Sequence, residues 1–302
     1  MPPEALRAFA QDHHEADSVE HEPAQSRATG EGLSARNFNR LAELIHRYSG
    51  IKMPSTKRTM LEGRLRRRMR AVHIDNLNDY CRHLFEGDGM EGEIVHLIDA
   101  VTTNKTDFFR EPPHFELVKN RALPALEKAG RREIKAWSAA CSIGAEPYTL
   151  AMILEDHCRA NRRQDYSILC TDLSTEVLEH AVSGIYSEAM IEPVDTDLRR
   201  RYLMRSKRAE RSQVRIVPEL RAKLSFARLN LMDDAYPVDK DMDFIFCRNI
   251  LIYFDKATQF KVLSRLCDHL RPGGHLFLGH SESIFGLDLP VVQVANTVFQ
   301  RS

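Results

Sequence analysis

The sequence predicts an α/β protein: a small all-α N-terminal domain followed by a doubly wound, mainly parallel sheet. Three observations carry this. Apolar residues recur at helical spacing from Asn37 to Val101. From Ile134 the period changes, and short strand-like runs alternate with helical ones. A chain of 302 residues is also long enough for two domains, one with a sizeable core.

Residues 1–33 are polar, with Pro, Gly, Ser, Glu and Ala and few large apolar side chains, so they cannot bury enough surface to offset ordering. A disordered tail is expected there. The helical domain spans 34–103. Its first helix carries Phe38, Leu41, Ala42, Ile45 and Tyr48 and stops at Gly50. A second, from Thr56 to about Val72, aligns Leu61, Leu65, Met69 and Val72. Two more follow, at 80–85 and 90–101, the last marked by Ile94, Leu97, Ile98 and Val101.

The second helix is strongly basic. Between Lys57 and Arg70 there are seven basic residues and one acid, Glu62, and Arg66, Arg67 and Arg70 project opposite the apolar stripe. Such a face suits an acidic helical partner, a solvated surface or an RNA stripe, and charge alone does not choose. Against RNA stand the overall neutrality and the lack of interleaved aromatics.

The sheet domain spans 104–302. "IKAWSA" precedes a helix from Pro147, "YSILCT" one from Ser174, and "DFIFC" one from about Lys256 to Leu270. "RPGG" reads as a turn, and "HLFLGH" with "VVQVANTVFQR" as closing strands, antiparallel at the end. The stretch at about 185–224 is too long for an ordinary connection and reads as an inserted subdomain.

Composition narrows the function. Lys plus Arg equal Asp plus Glu at 43 each, so no global field draws the chain onto nucleic acid or membrane. The six cysteines form no C-x-x-C pair, and no signal-type or long apolar run is present, which points to a reducing cytoplasm. The thirteen histidines form no H-E-x-x-H motif, and His13, His14 and His21 lie in the tail, so no metal site is expected.

In a doubly wound sheet, ligands sit beyond the carboxyl ends of the strands. "WSAACSIGAEPYTLAMIL" supplies one such end. Gly144 permits a tight turn and close ligand approach, and the helix behind it offers unpaired N–H groups. The turn lacks G-x-G-x-x-G and G-K-[ST], and Glu146 would repel a pyrophosphate, so a cation or zwitterion fits better. The bland alternative is that Glu146 caps its helix or favours the macrodipole. Asp172 ends the next strand, where an acid accepts hydrogen bonds from ribose hydroxyls. Its own bland alternative is a helix cap, a role open to Ser174. The spacing of about one βαβ unit favours a nucleoside ligand.

Three further runs converge there. "NKTDFFR" places Asn104, Thr106 and Arg110 beside two aromatics, "FARLNLMD" ends with Asn230 and Asp233, and "FCRNILIYFD" brings Arg248, Asn249 and Tyr253. An Arg directly after "DFIFC" is awkward in a core unless something pairs with it.

With "NKTDFFRE", "WSAACSIGAEPY", "DFIFCRNILIYF" and "LRPGGHLFLGHSES" in this order, the sequence resembles the CheR family of chemotaxis-type protein-glutamate O-methyltransferases, over about Phe38 to Arg301. The resemblance implies a class I methyltransferase (Rossmann-like) sheet, a helical N-terminal domain and an inserted β-subdomain. It implies S-adenosylmethionine as cofactor, S-adenosylhomocysteine as product, no metal, and cytoplasmic helical segments of chemoreceptors as protein substrate. Cofactor contacts would come from Asn104, Thr106, Arg110, Glu146, Asp172, Asn230, Leu231, Arg248 and Asn249. Tyr253 stands where the family places a tyrosine near the transferred methyl, and Arg66, Arg67 and Arg70 would dock the substrate. Ala145 departs from an often acidic position, and "MRSKRAERSQVRI" lacks the glycines of the loop that docks a receptor tail peptide in better-studied members.

The chemistry agrees with this pattern. A glutamate carboxylate, with a reference pKa of about 4.3, is already ionised near neutral pH, so attack on a sulfonium methyl needs no general base. Alignment and desolvation remain, and positioning of this kind supplies roughly 7 to 11 kcal/mol. Tyr253 would orient the substrate carboxylate or line the methyl path; the alternative is that its ring only packs. Two rivals are a cofactor-binding, catalytically weak docking module and a methyltransferase acting on nucleic acid or a small molecule. The latter lacks a basic groove and an "N-P-P-Y"-like tetrad.

Overall fold

The structure, a computed structural model, describes residues 32–86, 90–206 and 212–302. The expected tail lies outside these residues up to position 31, and so do 207–211 of the glycine-free stretch. Leu33 is buried and donates its N–H to Glu62 Oε1 at 2.9 Å. The chain divides into two compact units, one ending at Thr103 and one spanning Asn104–Ser302.

The first unit is helical. Helix α1 (Ala35–Ser49) starts at Ser34, whose hydroxyl accepts the N–H of Asn37, and ends at Gly50, which adopts the left-handed conformation at φ 75°. Helix α2 (Arg58–Ala71) enters through a 3-10 turn, Ser55–Lys57, and buries Leu61, Leu65 and Met69. Val72 is its C-cap instead of a fourth member of the stripe. Helices α3 (Leu77–Glu86) and α4 (Met90–Val101) complete the unit. Two of the basic side chains of α2 are used internally. Arg68 forks onto buried Glu93 at 2.8 and 2.7 Å, where Tyr80 also donates at 2.8 Å. Arg64 caps the end of α4 through the carbonyls of Val101 and Thr102. Arg66, Arg67 and Arg70 are exposed on the opposite face.

The second unit opens with a helical segment that the sequence reading lacks. Helix α5 (Pro112–Leu117) runs through a π-helical turn, Val118–Ala122, into α6 (Leu123–Lys128). Its three prolines read as breakers, yet Pro112 and Pro113 open α5, where the missing N–H costs nothing, and Pro124 follows directly on the π-helical turn, where the regular ladder is already interrupted. Next come β1 (Glu133–Ala139), α7 (Ala145–Ala160), β2 (Asp165–Asp172) and α8 (Thr175–Ser183).

A small antiparallel sheet then interrupts the alternation. It comprises β3 (Ile185–Ser187), β4 (Leu203–Arg205) and β5 (Gln213–Ile216), with helix α9 (Thr196–Tyr202) between the first two and strand order β3-β5-β4. Helix α10 (Pro218–Arg221) leads to β6 (Leu224–Arg228), β7 (Met242–Phe246), a 3-10 turn (Leu251–Tyr253), α11 (Lys256–His269), β8 (Leu270–Phe277), β9 (Val291–Ala295) and β10 (Val298–Arg301).

The main sheet has the order β6-β2-β1-β7-β8-β10-β9. Strands β6, β2, β1, β7 and β8 pair in parallel, and β10 inserts antiparallel between β8 and β9. Strand order reverses between β1 and β7, the crevice where doubly wound sheets hold ligands. Side-chain alternation supplies a core on each face: Ile134 and Ala136 join the cluster with Leu150 and Leu154 of α7, while Trp137 and Ala139 join that with Leu263 and Leu266 of α11. "RPGG" is not a free turn. Met242 pairs with Leu270 and Phe244 with His275, so "RPGG" bulges within β8. A Cβ on Gly274 would lie 2.8 Å from the Met242 carbonyl oxygen, so the bulge requires glycine there.

Candidate active site

Strand β1 ends in a strained turn. Ala140, Ser142 and Gly144 have φ of 64°, 51° and 91°, a region that non-glycine residues seldom adopt and that gathers at functional sites. The Cys141 N–H donates to the Thr171 carbonyl at 2.9 Å, clipping the turn to β2. The side of Gly144 where a side chain would stand is filled by protein. A Cβ there would meet the Tyr186 hydroxyl at 2.9 Å and Ala181 Cβ at 3.0 Å, so glycine serves the backbone angle and the packing of α8 and β3.

Asp172, at the end of β2, accepts the N–H of Ser142 on Oδ2 at 2.8 Å and that of Ser174 on Oδ1 at 3.0 Å. Its carboxylate therefore bridges the turn after β1 to the start of α8. Ser174 takes the helix cap, accepting the N–H of Val177. The Ser142 hydroxyl donates to the Asn104 carbonyl at 3.0 Å, which ties the "NKTDFFR" segment to the same turn.

Glu146 lies in the first turn of α7 but makes no cap. Its Oε1 accepts from the Ser138 hydroxyl at 2.7 Å and its Oε2 from Arg248 Nη1 at 3.2 Å. Burial pushes this carboxyl above the ordinary range, with Arg248 opposing. Arg248 follows β7, and its side chain is only 2% exposed. The partner it demands is supplied chiefly by Glu111, whose Oε2 accepts from Nη2 at 2.8 Å and Nε at 3.2 Å. Glu111 Oε1 accepts from the His280 N–H at 3.1 Å and from Asn249 Nδ2 at 3.3 Å. Burial works against the charge of Glu111, but Arg248 outweighs it and holds the carboxyl below its usual range. The network of Glu111, Glu146 and Arg248 thus carries one more acid than base.

His114 stands beside it, Nδ1 at 3.6 Å from Glu111 Oε2, with Nε2 at 3.1 Å from Thr297 Oγ1. Burial, then Arg248, pushes His114 down to about 4, so it is neutral near pH 7. Among the described residues, Glu111, His114 and His280 bring metal-ligand atoms within 4.8 Å of one another. The guanidinium of Arg248 already occupies Glu111, which sets a divalent cation there against a fixed positive charge.

The remaining predicted positions surround these. Arg110, half-buried, donates from Nη1 to the Lys105 carbonyl at 3.0 Å, and its own carbonyl accepts from Arg248. Thr106 is half-buried, and the Phe109 N–H donates to Thr149 Oγ1 at 3.1 Å, pinning its segment to α7. Asn230 and Leu231 follow β6 and are buried. Asn230 Oδ1 accepts the Met232 N–H at 3.0 Å, and the Leu231 carbonyl accepts the Tyr236 hydroxyl at 2.8 Å. Tyr253, half-buried at the end of its 3-10 turn, packs on the cluster that contains Leu251 and Phe254. Arg66, Arg67 and Arg70 belong to the helical unit.

Four residues of this site are absent from the sequence assignments: Ser138, Ser142, Glu111 and Glu282. The unexplained Arg248 was the signal for an acid such as Glu111. Glu282, 5% exposed, accepts the N–H groups of Gly279, Asn249 and Leu251 at 2.7, 2.9 and 2.7 Å. Nothing in the sequence near it announces that role.

The sheet order, reversing between β1 and β7 with β10 antiparallel beside β8, is that of a class I methyltransferase fold. Residues 104–299 match the CheR methyltransferase SAM binding domain, and residues 36–102 match the CheR methyltransferase all-alpha domain. The chemotaxis protein methyltransferase of Escherichia coli is 38% identical over 270 residues, covering 89% of this chain and 92% of that protein. Its counterpart in Salmonella typhimurium is 39% identical over 257 residues (84% and 86%), and that in Borreliella burgdorferi 36% over 259 residues (84% and 90%). The chain belongs to the CheR methyltransferase family. No helix among the described residues is long and apolar enough to cross a membrane.

Proposed function

We propose that this chain transfers a methyl group from S-adenosylmethionine to glutamate side-chain carboxylates in cytoplasmic helical segments of chemoreceptors, giving glutamate methyl esters. The observation that carries the reading is the acid pattern at the strand ends: Asp172 locked by two backbone N–H groups beyond β2, and a buried acidic surplus around Arg248 beyond β7. Relatives named as chemotaxis protein methyltransferases, matching over most of their length, support the substrate class.

The donor set fits this cofactor. Asp172, fixed by the Ser142 and Ser174 amides at the end of β2, is an acidic acceptor in the place suited to ribose hydroxyls. Glu146, together with Glu111, gives a net negative setting for a sulfonium and an ammonium group, while Arg248 and Asn249 present donors suited to a carboxylate. Asn104, Thr106 and Arg110, on the segment tied to the turn after β1, and Asn230 and Leu231, beyond β6, complete the contacts.

When bound, S-adenosylmethionine supplies a methyl group activated by a sulfonium leaving group. The residues of this chain need only place and desolvate the attacking carboxylate, because it is ionised at neutral pH. Tyr253 orients that carboxylate through its hydroxyl. The exposed face of Arg66, Arg67 and Arg70 attracts the acidic helical substrate.

The test is direct. Incubation with radiolabelled cofactor and receptor cytoplasmic fragments should transfer label that mild base releases, as a carboxyl ester does. Label stable to base, or none on the receptor, would refute the assignment. Tyr253→Phe should lower the transfer rate by about tenfold, the worth of one hydrogen bond.

A further inference from the structure

We infer that Glu282 is a positioning residue for methyl transfer: its buried carboxylate sets the backbone of residues 249–251 and thereby aims Tyr253. The inference rests on the proposed role of Tyr253 and adds a residue from a different strand end.

Strand β7 stops at Phe246; the Cys247 N–H still reaches the Phe277 carbonyl at 2.9 Å, but the amides of Asn249 and Leu251 turn to a side chain instead. Asn249 turns through the left-handed region at φ 60°, a conformation that persists only where its surroundings enforce it. The first N–H groups of the 3-10 turn Leu251–Tyr253 lack partners within the turn itself. Glu282 answers all of these from the loop after β8. Its Oε2 accepts from Asn249 and Gly279 and its Oε1 from Leu251. A carboxylate is an acceptor with about four lone-pair sites, and here three backbone donors from two segments converge on it.

The fit is tight on the other side as well. A Cβ on Gly279 would lie 2.3 Å from Asn249 Nδ2 and 2.9 Å from its backbone nitrogen. The end of β8 therefore presses on the turn while Glu282 ties it. This turn bears Asn249 and Tyr253 and directly follows Arg248. The side chains of Arg248 and Asn249 have a second anchor in Glu111, so the part most dependent on Glu282 is the downstream stretch from Leu251 to Tyr253. A purely stabilising role suits a buried acid poorly. Burial pushes the Glu282 carboxyl up in spite of its backbone donors, which offsets part of what those hydrogen bonds contribute.

Glu282→Gln keeps shape and places an NH2 donor among N–H donors, so in either orientation at least one amide loses its acceptor. With receptor fragment as substrate, kcat should fall roughly 10- to 100-fold, the scale of a misplacement of about 1 Å. Cofactor affinity by calorimetry and KM for the fragment should stay within about threefold, since Glu111 still holds Arg248 and Asn249. Without cofactor or substrate, amide exchange at Asn249, Leu251 and Gly279 should accelerate at least tenfold while the melting transition stays cooperative. Combined with Tyr253→Phe, the loss should be no greater than for Glu282→Gln alone, because both act through one hydroxyl. Gly279→Ala displaces the same turn independently, through Asn249, and should lower kcat by a similar factor while also weakening cofactor affinity, which keeps the test available should Glu282→Gln not fold. An unchanged kcat, unchanged exchange at the three amides, or multiplicative losses in the double variant would overturn the inference. A wild-type protein that methylates no receptor fragment would instead refute the proposed function, and the exchange measurement would still decide what Glu282 holds.

Discussion

Glu111→Gln tests the charge network at the end of β7. Glu111 Oε2 takes two bonds from Arg248 and Oε1 takes one each from the His280 N–H and Asn249 Nδ2. An amide in this place has one oxygen and one NH2, so whichever way it turns, two donors face a donor. Among the described residues, Arg248 then keeps the Glu146 carboxylate, 3.2 Å away. Removing one partner of a buried ion pair costs about 3 to 5 kcal/mol, because the remaining charge is undercompensated where water cannot reach it. For a unit of this size each kcal/mol shifts the melting temperature by roughly 2 to 4 °C, so the drop should be about 6 to 20 °C.

The assay is thermal and urea denaturation at pH 7 of Glu111→Gln, Arg248→Met and the double variant. The double variant should be less destabilised than the sum of the singles by about 1 to 3 kcal/mol, since Glu111 and Arg248 no longer leave each other unpaired. A loss below about 1 kcal/mol for Glu111→Gln would mean that Glu146 alone balances Arg248 and that the fork at 2.8 and 3.2 Å carries little.

Asp172→Asn should weaken cofactor binding about tenfold or more, the worth of a hydrogen bond to a charged acceptor, and unchanged calorimetric affinity would remove Asp172 from the cofactor site. Stability should fall as pH is lowered from about 6.5 toward 4. His114 and His275 are each pushed down to about 4, mainly by burial, so the unfolded chain binds their protons first in that window. Each contributes a slope of up to about 1.4 kcal/mol per pH unit. The lowered carboxyl of Glu111 adds to the loss in acid, whereas Glu146 and Glu282, raised by burial, act in the opposite sense. A flat urea profile between pH 6.5 and 5 would contradict the burial of the two imidazoles. Arg66→Glu with Arg67→Glu should raise KM for receptor fragments and leave cofactor affinity unchanged, and an unchanged KM would take the basic face out of substrate docking.

Elements set by local pattern were legible in the sequence. The stripe Leu61, Leu65, Met69 and the runs "IKAWSA", "YSILCT" and "DFIFC" declare their periods within a few residues, and the structure buries them as expected. Register and close approach were not legible. The bulge at "RPGG" exists because Gly274 must pass the Met242 carbonyl, a neighbour known only once the sheet is assembled. The segment Pro112–Lys128 was hidden because proline signals a break unless its place in the first turn or beside a π-helical turn is known. At the site, Arg248 announced a buried charge, but its partner Glu111 is 137 residues away in sequence, and Glu282 bonds the Asn249 amide across 33. A single acid in a polar loop looks like surface until the fold brings donors to it.

Under the proposed function, these two acids would supply the precision of a reaction that needs no general base. Strand β7 lies inside the sheet between β1 and β8, and all its residues are buried, so its end is a fixed reference point. Glu111 comes from the segment before the sheet and grips the side chains of Arg248 and Asn249. Glu282 comes from the loop after β8 and grips the backbone immediately downstream. One acid thus fixes side chains and the other fixes main chain over adjacent residues, with little overlap in what each holds. If methyl transfer depends on alignment to within an ångström, loosening Glu111 should register mostly as stability and cofactor affinity, and loosening Glu282 mostly as kcat. The two losses then separate along the chain at Asn249, the residue that both acids hold.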